Sequence, residues 1–450
     1  MVCGRIGRQT ENRAGSTGSL EQNVGETENP DSQSAAPPKF WRRYRNLPPN
    51  VLALSFVSLL NDTSSEIIYP LLPVFLSLTL GASPFIIGAI EGAAESAASL
   101  LKLAAGYISD HLGKRKFAVL AGYGISSITR PFLGLATSWW GVLFVRLADR
   151  VGKGVRGAPR DALLADAVAP EKRGLAFGFN RAMDHVGAVI GPLIGFLLLW
   201  FFASDNQNPT ADEYSQVFLV ASIPSILAVF VINFFVTENR TVAIPNFEAK
   251  SPVQKMTKER FDSNFKRFLV ILALFTLSNS SDAFLLLRAQ ECGIATVYLP
   301  ILWMFLHIVK VASSLVGGHL SDTVGRKRLI FAGWILYGAV YCGFAFISTP
   351  VQAWTLFLIY GVYFGLTEGA EKALVADLVP AERRGAAYGW YHLAFGIAVF
   401  PASLMLGAIW KYFGFQAAFM TSAAISTLAA FLLLTVKTKQ VEFHQTAQKM

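Results

Sequence analysis

An all-α integral membrane protein, with twelve transmembrane helices in two pseudo-symmetric six-helix halves, is the fold class this sequence predicts. Three observations carry the expectation. The 450 residues are 53% hydrophobic and 15% charged, with 35 Phe, too few charges to clothe a soluble globule of this size. Apolar runs of about 20 residues or more, each long enough to cross a bilayer as a helix, alternate with short polar segments. The stretch GYISDHLGKRK at Gly106–Lys116 returns as GHLSDTVGRKR at Gly318–Arg328, an offset of 212 residues, so the chain reads as two tandem halves.

Residues 1 to 45 are rich in Gly, Ser, Asn, Gln and Glu and read as a disordered cytoplasmic tail, since so few large apolar side chains cannot offset the entropy of ordering. No signal peptide is expected, because no apolar core with a small-residue cleavage site follows the early arginines. The first half, 46 to 237, holds spans near 51–79, 84–108, 117–137, 140–165, 174–202 and 215–236. A polar cytoplasmic linker, 238–265, leads to the second half, 266–436, with spans near 266–288, 295–316, 329–348, 353–376, 386–410 and 414–435. Residues 437–450 form a second tail.

Basic residues collect in alternate loops: Lys39 to Arg45, Lys114 to Lys116, Lys172 and Arg173, Lys250 to Arg267, Arg326 to Arg328, Arg383 and Arg384, and Lys437. The opposite loops carry Asp205, Asp212, Glu213 and Glu291. By the rule that short basic loops stay inside, both termini are cytoplasmic and the number of spans is even. A multi-pass protein of the inner (plasma) membrane is expected, and a monomer. The net charge of +9 is explained by this topology, so no nucleic-acid partner is expected.

The repeat extends further. DALLADAVAPEKRGLAFGFNR, Asp161 to Arg181, is echoed by KALVADLVPAERRGAAYGWYH, Lys372 to His392, and Ser64, Ser65 and Glu66 answer Ser280, Ser281 and Asp282. Parallel halves of this kind place a substrate site between them near the bilayer midplane. With Gly106, Asp110, Gly113, Lys114, Arg115 and Lys116 between spans two and three, and Gly318, Asp322, Gly325, Arg326, Lys327 and Arg328 between spans eight and nine, the chain resembles the major facilitator superfamily over about residues 50–436. The resemblance implies that these loops act as cytoplasmic latches in the outward-facing state, with Arg115 or Lys114 reaching Asp166. It also maps the family's span-four pattern onto Arg146, Gly152, Gly154 and Asp166, with Arg150 standing where Gly is usual.

Ionisable groups near the bilayer centre cost about 2.5–3.5 kcal/mol each on insertion scales, so a cluster of them needs pairing, water or a function. Span four is densest: Arg146, Asp149, Arg150, Lys153, Arg156, Arg160 and Asp161 fall within an arc of about 140° at 100° per residue. Two readings stand: the cations hold an anionic substrate group, or they pair with Asp62, Glu66, Glu91, Glu95 and Asp184 of the same half. Arg181, Asp184, His307 and Lys310 join the candidate substrate cavity. Glu66, Glu91, Glu95 and Asp282 are candidates for proton coupling, because burial brings carboxylates closer to neutral titration.

No cofactor or metal is expected. GKGVRG at Gly152–Gly157 follows no strand and lies in a span, no GxxxxGK[ST] motif occurs, and Cys3, Cys292 and Cys342 have no CxxC spacing. No nucleophile with a base partner emerges, so the chain is not expected to be an enzyme. The expected function is a secondary active transporter of a small organic solute, proton-coupled and exporting an organic compound or drug. Uptake of an anionic metabolite is the alternative, and a non-transporting membrane sensor or scaffold is the reading from another class.

Overall fold

The computed structural model describes residues 47–112, 115–169, 172–238, 261–380 and 383–437. The expected tails at 1–45 and 437–450, apart from Lys437 itself, and most of the expected linker lie outside the described residues, as do Gly113, Lys114 and the side chains of Lys102, Asp110 and Asp322. Among the described residues every regular element is helical. In the first half, α1 is Pro49–Ile68, α2 Pro84–Leu112, α3 Arg115–Thr129, α4 Trp139–Asp166, α5 Arg173–Phe202 and α6 Ala211–Phe235. In the second, α7 comprises Ser263–Ser278 and Ala283–Glu291, α8 is Leu299–Val324, α9 Arg326–Phe346 and α10 Pro350–Leu378. The last helical run, Arg384–Leu433, turns at Gly414, whose φ of 89° no side-chain-bearing residue adopts cheaply. It is two helices, α11 (384–413) and α12 (415–433).

Among the described residues eight segments are long and apolar enough to cross a membrane, one of them running through the Gly414 turn; α3, α4 and α10 are not among them. α3 is only 15 residues long, and α4 carries the charges discussed below.

Local chemistry sets the helix ends. Thr210 and Glu213 form a reciprocal capping box at the start of α6, and Thr349 and Gln352 do the same for α10. Pro70 and Pro73 interrupt the first span after Ile68; the chain continues through a short turn, Leu72–Val74, and a π-helical turn, Phe75–Thr79. The seventh span departs from the continuous helix expected over 266–288. It opens at residues 279–282, Asn-Ser-Ser-Asp, whose side chains compete with the helical backbone: Ser281 Oγ accepts from the Ala283 amide at 3.2 Å, and the Ser281 amide donates to Ser403 Oγ at 3.1 Å.

Within each half the first helix is tied to the residues that follow the sixth. Asn50 donates to the Thr237 carbonyl and accepts from its amide, at 2.7 and 2.8 Å. Asn264 makes the same reciprocal pair with Lys437. The halves meet along α2 and α11, whose backbones approach closely at glycines. A Cβ on Gly88 would collide with the Ser403 carbonyl, and one on Gly407 would fall 2.5 Å from the Pro84 oxygen. At the end opposite the repeated basic loops, Thr296 Oγ1 donates to the Gln207 carbonyl at 2.7 Å and the Val297 amide to the Asn206 carbonyl at 3.3 Å, joining the halves there.

Candidate functional site

A cavity of about 260 Å³ lies between the halves. The first half lines it with Tyr69, Glu91, Glu95 and Arg150, the second with the opened backbone of α7, residues 279–282, and with Phe364, Phe395, Val399 and Ser403. Non-helical backbone at this depth leaves polar groups that protein or water must satisfy, so it is tolerated where it borders a cavity.

The α4 charges do not all face this space. Arg146 is buried and grips buried Glu91 of α2 through three contacts, at 3.0, 2.8 and 2.6 Å. Asp149 pairs with Arg130 at 3.3 Å, and Arg130 also donates to the Asn61 carbonyl and side chain. Arg156 turns to α3: its Nη1 donates to Ser126 Oγ at 2.7 Å and its guanidinium lies 4.5 Å from the centre of the Tyr123 ring. Arg160 contacts Asp161 at 3.0 Å and Ser58 at 3.1 Å. Arg150 alone of the α4 stripe lines the cavity, with Glu95 at 3.7 Å. The expected cavity role therefore does not extend geometrically to Arg156, which faces the α3 packing surface. Gly152 and Gly122 explain how: their backbones approach so closely that a Cβ on either would collide with the other helix.

The remaining candidates divide between the halves. Glu66 of α1 accepts from Trp303 Nε1 of α8 at 2.8 Å, with His307 Nε2 3.9 Å away. Arg181 of α5 lies 3.9 Å from Asp184 and reaches Glu368 of α10 at 3.4 Å, across the interface. Glu368 also meets Lys372 at 3.2 Å. Asp282 accepts from Tyr360 Oη at 2.6 Å, and Lys310 Nζ sits 3.6 Å from the centre of the Phe364 ring. Of the proton-coupling candidates, Glu91, Glu95 and Asp282 border the cavity and Glu66 does not.

At the basic loops, Arg115 pairs with Asp166 and Arg326 with Asp377, each joining the third helix of a half to its fourth. Glu238, just beyond α6, accepts from the Arg115 amide at 2.6 Å and so caps α3.

Sequence reading missed Arg130 and a tyrosine cluster, and it counted Glu371 only among the membrane charges of the second half. Arg130 lies at the end of an apolar run and is as much a membrane charge as those of α4. Glu371 is buried in the second half and accepts from Trp334 Nε1 at 2.9 Å and Tyr391 Oη at 3.0 Å. Tyr337, Tyr341, Tyr360 and Tyr363 form one buried aromatic cluster beside Asp282, visible beforehand only as four- and three-residue spacings on two apolar helices.

A sequence profile of the Major Facilitator Superfamily matches residues 54–401 and, in a second match, 308–449. The chain is 33% identical to an uncharacterised MFS-type transporter of Methanocaldococcus jannaschii, over 87% of this chain and 96% of that one. It is 24% identical to a multi-drug resistance efflux pump homologue of Lactococcus lactis, over 79% and 87%. Its fold resembles a bacterial homologue of the human lysosomal transporter Spinster in an inward-facing, occupied conformation, with a TM-score of 0.69, 17% identity and coverage of 89% and 97%.

Proposed function

The chain belongs to the major facilitator superfamily, and from that membership we propose that it works as a proton-driven secondary transporter exporting a small organic solute. It is a multi-pass membrane transporter, not an enzyme. The observation that carries the finer reading is the cavity between the halves, bordered by Glu91, Glu95 and Arg150 on one wall and Asp282 on the other. Groups from both halves on one space let a bound solute or proton bias the rocking of one half against the other. Glu95 and Asp282 are the coupling residues best placed to meet both solute and proton, and Glu66 links α1 to α8.

The basic loops would serve as the latch, with Arg115–Asp166 and Arg326–Asp377 holding α3 on α4 and α9 on α10 in both halves. On this reading the basic end faces the cytoplasm of the inner membrane. Export is favoured over uptake of an anionic metabolite because most α4 cations already meet carboxylates, a hydroxyl or an aromatic ring. The relatives include an efflux pump homologue, which agrees with that direction.

Everted membrane vesicles carrying the protein test this reading. Energising them with lactate should drive accumulation of exported organic dyes, and a protonophore should abolish it. Accumulation that persists at full rate after collapse of the proton gradient refutes proton coupling.

A further inference from the structure

We propose that the cavity between the halves binds a small zwitterion, its carboxylate held by Arg150 and its ammonium group by Asp282. The inference rests on the transporter reading and names its substrate class.

Arg150 differs from every other arginine around it. Arg130, Arg146, Arg156 and Arg160 all donate hydrogen bonds to described partners. Arg150 donates none to a described residue, and its Nε is buried without a partner. Glu95, at 3.7 Å, is beyond hydrogen-bond length and its side chain is 37% exposed. A guanidinium carries five donors in a planar fork suited to a carboxylate, and leaving its buried Nε unmet is costly.

The facing wall holds the complementary group. Asp282 sits where α7 opens, accepts one hydrogen bond, from Tyr360 Oη at 2.6 Å, and has no base within ion-pair distance among the described residues. Of the other charges near the cavity, Glu91 is gripped by Arg146, Glu95 faces Arg150 at 3.7 Å, and Lys310, the base that acts on Asp282 from beyond ion-pair distance, lies against the Phe364 ring. A ligand of one sign would satisfy one wall and leave the other unmet. An ammonium and a carboxylate on one molecule satisfy both, while Tyr69, Phe364, Phe395 and Val399 offer surface for its apolar body. Because Arg150 belongs to the first half and Asp282 to the second, such a ligand also ties the halves together.

Thermal-shift titration of the purified full-length protein tests this with two matched sets: L-leucine, isopentylamine and 4-methylpentanoate; and L-phenylalanine, phenethylamine and 3-phenylpropanoate. The expected result is binding of the amino acid about tenfold tighter than that of either fragment, the scale of one charge-assisted contact. Arg150→Gln should bring amine and amino acid to equal affinity, and Asp282→Asn should bring carboxylate and amino acid to equal affinity. Equal binding of the amine to the unaltered protein overturns the proposal in favour of an organic-cation site. Equal binding of the carboxylate overturns it in favour of an anion site, and no shift with any of the six compounds overturns it outright. The comparison on the unaltered protein holds whether or not a variant folds. Dye transport in vesicles is scored separately, so a transporter that binds no zwitterion is told apart from a protein that does not transport.

Discussion

Replacing Glu91 with Gln isolates the electrostatic core of the first half. Glu91 and Arg146 are both more than nine-tenths buried and share three contacts of 3.0, 2.8 and 2.6 Å. Unit charges about 3 Å apart attract by about 5 kcal/mol at an effective dielectric near 20. Much of that offsets desolvation of the two ions, so the pair adds little net stability over an apolar substitute. Removing one partner is different, because Arg146 then stays buried and uncompensated, at a cost of about 3–5 kcal/mol. Glu95→Gln is the internal control: its contact with Arg150 is 3.7 Å and its side chain is 37% exposed, so that contact is worth about 1 kcal/mol or less. The assay is reversible unfolding in mixed micelles, titrating SDS and following tryptophan fluorescence. Glu91→Gln should move the midpoint far below that of Glu95→Gln, and the double variant Glu91→Gln with Arg146→Gln should recover most of the loss. Equal midpoints for the two single variants, or a double variant worse than Glu91→Gln, would refute the buried-pair argument.

Three further outcomes are expected. Asp166→Asn removes a partly exposed pair with Arg115, so stability should change by about 1 kcal/mol or less while vesicle transport slows several-fold; unchanged transport would remove the latch role. Glu238→Gln takes the carboxylate from the start of α3 and should cost about 0.5–1 kcal/mol, read as faster hydrogen exchange at the first α3 amides, with unaltered exchange refuting the cap. Gly317→Ala drives a Cβ into the Gly365 backbone and should sharply lower the yield of monodisperse protein, whereas Gly369→Ala, with open space, should not. Equal yields would show that α8 and α10 can part at little cost.

The duplicated loops and the helical segments were legible because a membrane demands long apolar runs and the repeat supplies an internal second copy. The pairings within the charges were not. A helical wheel places Arg146 and Arg156 on one stripe, yet they meet Glu91 of α2 and Ser126 of α3, choices set by how neighbouring helices rotate. Arg130 escaped notice because it stands singly, and its partner Asp149 had been counted with the cations beside it. The break in α7 was written in Asn279-Ser280-Ser281-Asp282, but the similar Asn61–Glu66 run stays helical within α1. What separates them is tertiary: Ser403 stands ready to accept the freed Ser281 amide. The contact of Arg115 with Asp166 was legible as opposite charges at neighbouring cytoplasmic helix ends, and the added role of Glu238 needed the structure.

The glycine contact between α2 and α11 bears on how this chain can vary. Where two backbones touch directly at glycines, and the side chains between them are as small as Ser96, Ser99 and Ser403, one half can roll on the other with little interlocking to undo. Such a bearing has no slack: a methyl group added at Gly88 or Gly407 meets main chain, which no rotamer change can move aside. A lineage altering this joint would need compensating shrinkage on the opposite rod at the same step, so variation should concentrate in the cavity wall, where cargo can change while the bearing is preserved.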